Sequence, residues 1–492
     1  MTAARPYIAY VDEGNYLHPV VAMLRRGGWD PHHYLYPQLP GTLVAAGLRL
    51  YAPVFRARHG GELRDALVSA PDVYDRLEPF AVLAIARAID ALLGVGTVVL
   101  AGLLARRLAG PVAGAAAAWL AAFAPALVLR SALASVDTAA AFFATLCLLL
   151  TERARRPGPS GLSPLLAGAA AGAAFASKYP AASVGAAAAA AILLSANPRV
   201  ERLRRVSLLA AGAVAAVAAA MPAALLRPHE VIGALAVQRG LYAAMPSQAP
   251  LWKQALVRAE WTLPFEHPEL GVVFVAAAIA GLVALARRRE TAAAAWGWTL
   301  WAALMIGFYG SRSFQPFRNA LPFVPAACAA AGAGYALWRE RLKMPRWMDA
   351  AALALLLAIW GAPLARYTST RVRLADSRRL AVDWLAGRAS AGSRTLAVRD
   401  LGILSSELGR VPGATDVRWW TESENAARDL GPQWILAGVQ MRESGPPDDA
   451  ARAPWIAAGY TERARFGARS TPPYVSWWRG NDQLVYVFER RR

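Results

Sequence analysis

ARAIDALLGVGTVVLAGLLARRLAGPVAGAAAAWLAAFAPALVLR, residues 86–130, holds two apolar blocks, 86–105 and 111–130, parted by Arg106-Arg107. Each block matches the roughly 20 residues with which an α-helix crosses the hydrocarbon layer of a bilayer. The apolar residues run on without the polar face of an amphipathic stripe, so lipid is the expected solvent. Eight more such blocks follow near 138–151, 164–178, 180–195, 206–226, 270–286, 292–310, 319–338 and 348–366. Across the 492 residues 56% are hydrophobic and 17% charged. The sequence therefore predicts a mainly α protein, a polytopic transmembrane helical bundle of about ten spans over residues 86–366. A first outer segment, 1–85, precedes the bundle and a soluble extracytoplasmic α/β domain, 367–492, follows it.

The formal charge of +20 is not that of a nucleic-acid groove, because the cations sit in short loops between apolar blocks. Alternate loops carry them: Arg106-Arg107; Arg153, Arg155 and Arg156; Arg199, Arg202, Arg204 and Arg205; Arg287 to Arg289; and Arg339, Arg341, Lys343 and Arg346. If each block crosses once, all fall on one side, which the positive-inside rule assigns to the cytoplasm. Segments 1–85, 131–137, 227–269, 311–318 and 367–492 then face outward from a plasma (inner) membrane, with anionic lipid as a partner of the cationic face. Met1 to Val11 contains neither a signal peptide nor a spanning helix, so either this short head translocates by itself or a first helix has been lost ahead of it. Cys147 and Cys328 lie inside apolar blocks without metal-ligand spacing, which predicts buried thiols and neither a disulfide framework nor a zinc site.

Small residues crowd 111–122 and 164–190, the composition that lets helices approach closely in lipid. GTLVAAGLRLYAPVFR, 41–56, is too short and too charged for a span and reads as a helix in the outer interface. Past Arg366 the pattern changes. RTLAVRD (394–400), QWILAGV (433–439) and QLVYVFER (483–490) read as strands, and 376–388 and 401–409 as helices. Trp419, Trp420, Trp477 and Trp478 in this domain could bind sugar or rest on the membrane, with core or interfacial packing the plainer reading.

Chemistry-bearing residues gather in the outward segments. YVDEGNY (10–16) sets Asp12 and Glu13 side by side in the first of them; by spacing alone such a pair in a loop is solvated charge. HHYLYPQLPGTL (32–43) brings His33 and Tyr36 together with prolines that fix an extended approach to the interfacial helix. Asp137 in LASVDTAAAFF is an unpaired acid with apolar sequence on both sides, a functional candidate whose alternative is a helix N-cap. Lys178 and Tyr179 in ASKYP stand between two Ala-rich blocks, where a lysine could also snorkel to the interface. GSRSFQPFRNALPF (310–323) places Arg312 and Arg318 on the translocated side, against the topological bias.

Taken in order, the DE pair, the His/Tyr/Pro stretch before an interfacial helix, the isolated Asp, the Lys-Tyr hairpin and an Arg ahead of an LPFVP helix start resemble the GT-C glycosyltransferase superfamily. Within it the pattern is most similar to the branch of protein O-mannosyltransferases and lipid A aminoarabinose transferases, over about residues 7–366. The resemblance implies transfer of a sugar from a polyprenyl-phosphate donor to an acceptor on the outer face, with inversion at the anomeric carbon. It implies Asp12 as catalytic base, Glu13 as its companion, Asp137 as the second acidic position and Lys178 near the donor phosphate. Two departures stand out: members have a spanning helix before the DE pair, and many carry a lysine beside the proline where this chain has Tyr36-Pro37-Gln38.

The residues fit that chemistry on their own terms. A carboxylate that removes the proton of an acceptor hydroxyl contributes about 100- to 10,000-fold. A phosphate leaving group needs cations rather than a general acid, and Lys178, Arg312 and Arg318 are on the right side to supply them. No cofactor is firmly implied, and a divalent metal is possible without being indicated. The acceptor is left open among lipid, glycan and protein. A polytopic transporter or flippase is the alternative of another class, opposed by the lack of repeated halves and of mid-membrane ionisable sites; a non-catalytic relative is a third.

Overall fold

The computed structural model describes residues 11–69, 81–158, 161–243, 269–310, 317–362, 365, 376–398, 403, 408–418, 429–438, 448–467 and 484–491. They fall into two compact units, one of residues 22–49 and 85–365, the other drawn from 1–21, 50–84 and 366–492.

The N-terminal segment expected as a loop is helical. Helix α1, Val11–Arg26, carries the DE pair in its first turn, and α2, Gln38–His59, extends the expected 41–56 helix at both ends. Pro40 lies in the first turn of α2, where its missing N–H has no intrahelical acceptor to lose, so it starts the helix rather than extending the approach. A short helix, α3, Leu63–Ser69, follows.

Helix α4, Ala81–Phe123, is a hairpin of two limbs. Its backbone leaves helical geometry at Ala109 (φ −145°, ψ 20°) and Gly110 (φ 88°, ψ −176°), and Pro111 then cannot donate to the turn before it. The limbs pack through glycine: a Cβ at Gly102 would lie 3.1 Å from the carbonyl oxygen of Gly114. The chain breaks again at Ala124 before α5, Pro125–Ser131, so the 111–130 block is two helices.

Next come α6, Val136–Ala154, and α7, Ser163–Ser177, then a 3₁₀ turn over Tyr179–Ser183 that leads into α8, Val184–Leu193. Helix α9 is Arg199–Ala220 and α10 is Ala223–Leu226, so the expected 206–226 block is broken at Met221-Pro222, and the described part of the 227–269 segment is helical too, with α11, Pro228–Ala243. The bundle closes with α12, Glu269–Ala286, and α13, Ala292–Gly310, then a 3₁₀ turn over Phe317–Phe323 that opens α14, Val324–Arg341. Helix α15, Arg346–Leu356, continues into a π turn at Leu357–Gly361.

The core is built on small residues. Ala167, Ala170, Ala171 and Ala174 of α7 are buried, and a side chain at Gly168 or Gly172 would strike the backbone of α9. Gly212 of α9 returns the contact against Leu165, and Gly281 and Gly334 do the same between α12 and α14. Three stretches among the described residues are long and apolar enough to cross a membrane: Val82–Phe123, Arg199–Ala220 and Asn319–Arg341. The last is 72% buried inside the bundle and the second only 17%, so one is central and the other faces lipid. The chain is an integral membrane protein.

The cationic loops meet at one end of this bundle. Arg156 Nη2 donates to the carbonyl of Arg107 at 3.2 Å and Arg107 Nη1 to that of Leu149 at 3.4 Å. Arg155 pairs with Glu152 and reaches the carbonyl of Glu290, while Asn197 Nδ2 donates to Arg155 O at 2.8 Å. Buried Arg205 pairs with Glu201 and donates to the carbonyls of Ala154, Arg156 and Gly158, capping the end of α6. Arg288 faces Glu340 at 3.4 Å. Five loops are thus stitched together by their own arginines.

The C-terminal residues form a five-stranded sheet of order β2-β1-β3-β5-β4: β1, Thr395–Val398; β2, Ala414–Arg418; β3, Trp434–Gly438; β4, Tyr460–Phe466; β5, Val485–Arg490. Strands β1, β2 and β3 are parallel, whereas β5 runs antiparallel to both β3 and β4. Helix α16, Ser377–Ala386, covers one face through Ala381, Val382 and Leu385, packed with Leu436 and Val487. The other face joins Trp455 of α17, Asp448–Ala457, to Ile435, Tyr486 and Phe488. The expected strands at 394–400, 433–439 and 483–490 and the helix at 376–388 are all present. Most of the 401–409 helix, and Trp419, Trp420, Trp477 and Trp478, lie outside the described residues.

Candidate active site

At the other ends of α6 and α7 from the arginine loops, two residues singled out separately in the sequence meet. Helix α7 stops at Ser177, and Lys178 adopts an extended conformation (φ −155°, ψ 118°) before Pro180 starts the 3₁₀ turn. That single extended residue turns the lysine off the helix axis. Its Nζ lies 2.5 Å from Asp137 Oδ1 and 2.8 Å from Asn319 Oδ1. The Lys178 side chain is 12% exposed and that of Asp137 3%, so the ion pair is buried.

Asp137 is therefore not the unpaired acid of the sequence reading, nor is it the N-cap. Ser135 holds the cap position in an extended conformation, and its backbone N–H donates to Asp90 Oδ2 at 2.7 Å. Asp137 sits in the first turn of α6, where a negative charge also suits the helix dipole. Lys178 does not snorkel; it is the buried counter-charge of Asp137. Its ammonium has three donors, of which these contacts use two.

Asn319 belongs to the Phe317–Phe323 turn, one residue after Arg318, whose side chain, like Arg312 as a whole, lies outside the described residues. Tyr179 reaches the other way: its hydroxyl donates to the carbonyl of Tyr34 at 2.7 Å. This fixes the 27–37 loop, which is held further by the Arg227–Asp30 ion pair, by Arg227 against His32 Nδ1 at 2.6 Å and by Gln238 Nε2 on Leu35 O at 2.5 Å. Tyr34 donates to Asp30 Oδ1 at 2.6 Å, and burial, followed by the nearby Glu230 charge, pushes its phenol up to about 12. The phenol thus stays a donor at neutral pH. Arg49 stacks 3.5 Å over Trp29 and bonds the carbonyl of Gly28. His33 is exposed and Tyr36 half-buried in the same loop.

Of the DE pair, Glu13 is fully buried, and Asp12 is described only as backbone in the first turn of α1. Asp90, Asn319, Tyr34 and Arg227 were not singled out in the sequence. Asp90 in ARAIDALL carried the one available signal, an acid inside an apolar block; the others sit in patterns that many loops share. Among the described residues no group of three or more His, Cys, Asp or Glu side chains could hold a metal ion.

Comparison with known proteins bears on the fold. Residues 82–225, from α4 to α10, match the family described as dolichyl-phosphate-mannose-protein mannosyltransferase, and the match includes Asp137 and Lys178. No curated protein sequence matches the chain. Among solved structures, apo ArnT from Cupriavidus metallidurans is similar with a TM-score of 0.53 at 16% identity, over 98% of this chain and 94% of that one. ArnT bound to undecaprenyl phosphate gives 0.53 at 15% identity over 99% and 95%. The apo oligosaccharyltransferase of Archaeoglobus fulgidus gives 0.52 at 13% identity over 89% and 67%. The fold is that of the GT-C glycosyltransferases, as the sequence resemblance implied.

Proposed function

We propose that this chain is a membrane glycosyltransferase that moves a sugar from a polyprenyl-phosphate-linked donor to an acceptor hydroxyl on the extracytoplasmic face, inverting the anomeric centre. The observation that carries the reading is the buried Lys178 ammonium, held by Asp137 and Asn319 with its third donor unclaimed among the described residues, at the bundle end opposite the arginine loops. A preorganised cation in a dry setting suits the charge that develops on a departing phosphate. The binding of undecaprenyl phosphate by ArnT, which shares the fold, agrees with that choice of leaving group.

In the proposed step Asp12 takes the acceptor proton, the acceptor oxygen bonds to the anomeric carbon, and the bond from that carbon to the phosphate oxygen breaks. The departing polyprenyl phosphate is met by Lys178, with Arg312 and Arg318 in the same role. Asp137 is not assigned as the base, because one of its oxygens is held by Lys178. Glu13, buried on the same helix, orients its neighbour or the sugar. The assay is turnover of polyprenyl-phosphate sugars by the purified full chain. Asp12→Asn should lower turnover about 100-fold or more with donor binding retained, and Glu13→Gln should do less. Near-normal turnover by Asp12→Asn would overturn the assignment of the base.

A further inference from the structure

The stitched end of the bundle holds more arginine than its own contacts use. Arg155 and Arg205 are buried, paired with Glu152 and Glu201 and bonded to carbonyls, so they are structural. Arg106, Arg107, Arg153 and Arg156 differ. All four are exposed, and among the described residues none is paired with a carboxylate. Three of them are brought together by contacts, since Arg107 donates to Leu149 O, Arg156 donates to Arg107 O, and Arg153 is one turn beyond Leu149 on the same side of α6; Arg106 directly precedes Arg107 in the chain.

What adjoins the cluster is apolar. On the first limb of α4, Leu92 (71% exposed), Val95, Val99 and Leu103 are spaced three, four and four residues apart, so they form one exposed stripe. Arg106 follows three residues after Leu103 and ends it. The stripe belongs to a segment long and apolar enough to cross a membrane. An exposed apolar stripe of this kind suits an acyl chain, and guanidinium groups at its end suit a phosphate.

We infer that Arg106, Arg107, Arg153 and Arg156 form a headgroup site for an anionic phospholipid whose acyl chain lies along Leu92, Val95, Val99 and Leu103. Guanidinium groups match phosphate oxygens in a fixed fork, and near a membrane surface each cation contributes measurably to anionic-lipid binding. The site lies at the end of the bundle remote from Lys178 and does not depend on the transferase reading.

The test is native mass spectrometry of the detergent-purified full chain with phosphatidylglycerol, phosphatidylcholine and inorganic phosphate as probes. The wild type should retain phosphatidylglycerol at least about ten-fold over phosphatidylcholine, and R106Q/R153Q and R107Q/R156Q should each lose most of that preference. R106K/R153K, which keeps the charge but not the guanidinium fork, should lose less of the preference than R106Q/R153Q, which separates loss of charge from misfolding. R287Q/R289Q, an equal change of charge in another loop of the same end, should leave it intact. The inference is overturned if R106Q/R153Q retains the lipid as wild type does, if R287Q/R289Q loses it equally, or if inorganic phosphate displaces the lipid completely.

Discussion

Lys178 and Asp137 face each other 2.5 Å apart with little water, so removing one leaves the other charged and buried. Breaking such a pair from one side typically costs about 3–5 kcal/mol, whereas removing both charges costs less. Asp137→Asn and Lys178→Met should each lower the thermal midpoint in detergent, and the double mutant should lie above the sum of the two, with a coupling of about 0.5–3 kcal/mol. Additive losses would show that the two charges do not depend on one another. Both residues were legible in the sequence because an acid and a lysine stand out among alanines. Their pairing was not, because a separation of 41 positions hides the meeting of two helix ends, and Asn319 carries no charge to betray it.

Among elements, α7 and α9 test the packing argument. A Cβ at Gly168 would overlap the carbonyl of Leu209, and one at Gly212 that of Leu165, so neither position has slack. Gly168→Val and Gly212→Val should each destabilise the bundle by at least about 1–3 kcal/mol, the usual effect of overpacking. Gly233 of α11 has nothing within 4 Å of a built Cβ, and Gly233→Ala should be neutral or gain up to about 1 kcal/mol. Thermal midpoints of the three variants in one detergent decide it; equal behaviour would mean that small residues are not what brings these helices together. The C-terminal sheet shows where pattern reading stops. Strands β1, β3 and β5, in the middle of the sheet, are apolar runs and were legible. The two edge strands were missed: β2 reads ATDVR and β4 reads YTERARF, and with one side unpaired such strands carry charge. Helix α1 was missed because VDEGNYLHPVV has neither a span's composition nor a clean amphipathic stripe, and Pro19 lies inside it.

For the molecule as a whole, five cationic loops that reading from composition put on one side do share one end of the bundle, tied by side-chain contacts. Which face of the membrane that end meets follows from the positive-inside rule. Single cysteines introduced at Arg153 or Arg287, in a background where buried Cys147 and Cys328 are alanine, should react with reagent only from the cytoplasmic side. Cysteines in 131–137 or on the C-terminal sheet should react from the outside. Cytoplasmic labelling of the sheet would invert the arrangement and remove the basis for an extracytoplasmic transferase.

Helix α7 has 15 residues, a rise of roughly 22 Å, against about 30 Å for a bilayer's hydrocarbon layer. Measured along α7 alone, Lys178 ends several ångströms short of a full crossing, whereas α6, 19 residues long, rises roughly 28 Å and carries Asp137 nearly a full crossing from its arginine end. A pair seated at the shorter of these depths requires the membrane to dimple toward it or to admit water down to it. Hydrophobic mismatch of this sort is relieved in thin bilayers. Sugar transfer should accordingly run faster in nanodiscs of short-chain than of long-chain phosphatidylcholine, and a rate indifferent to chain length would mean that the pair already lies level with the headgroups. For the proposed transfer, that geometry requires an acceptor to come down to the lipid carrier, rather than the carrier's phosphate being lifted out to the acceptor.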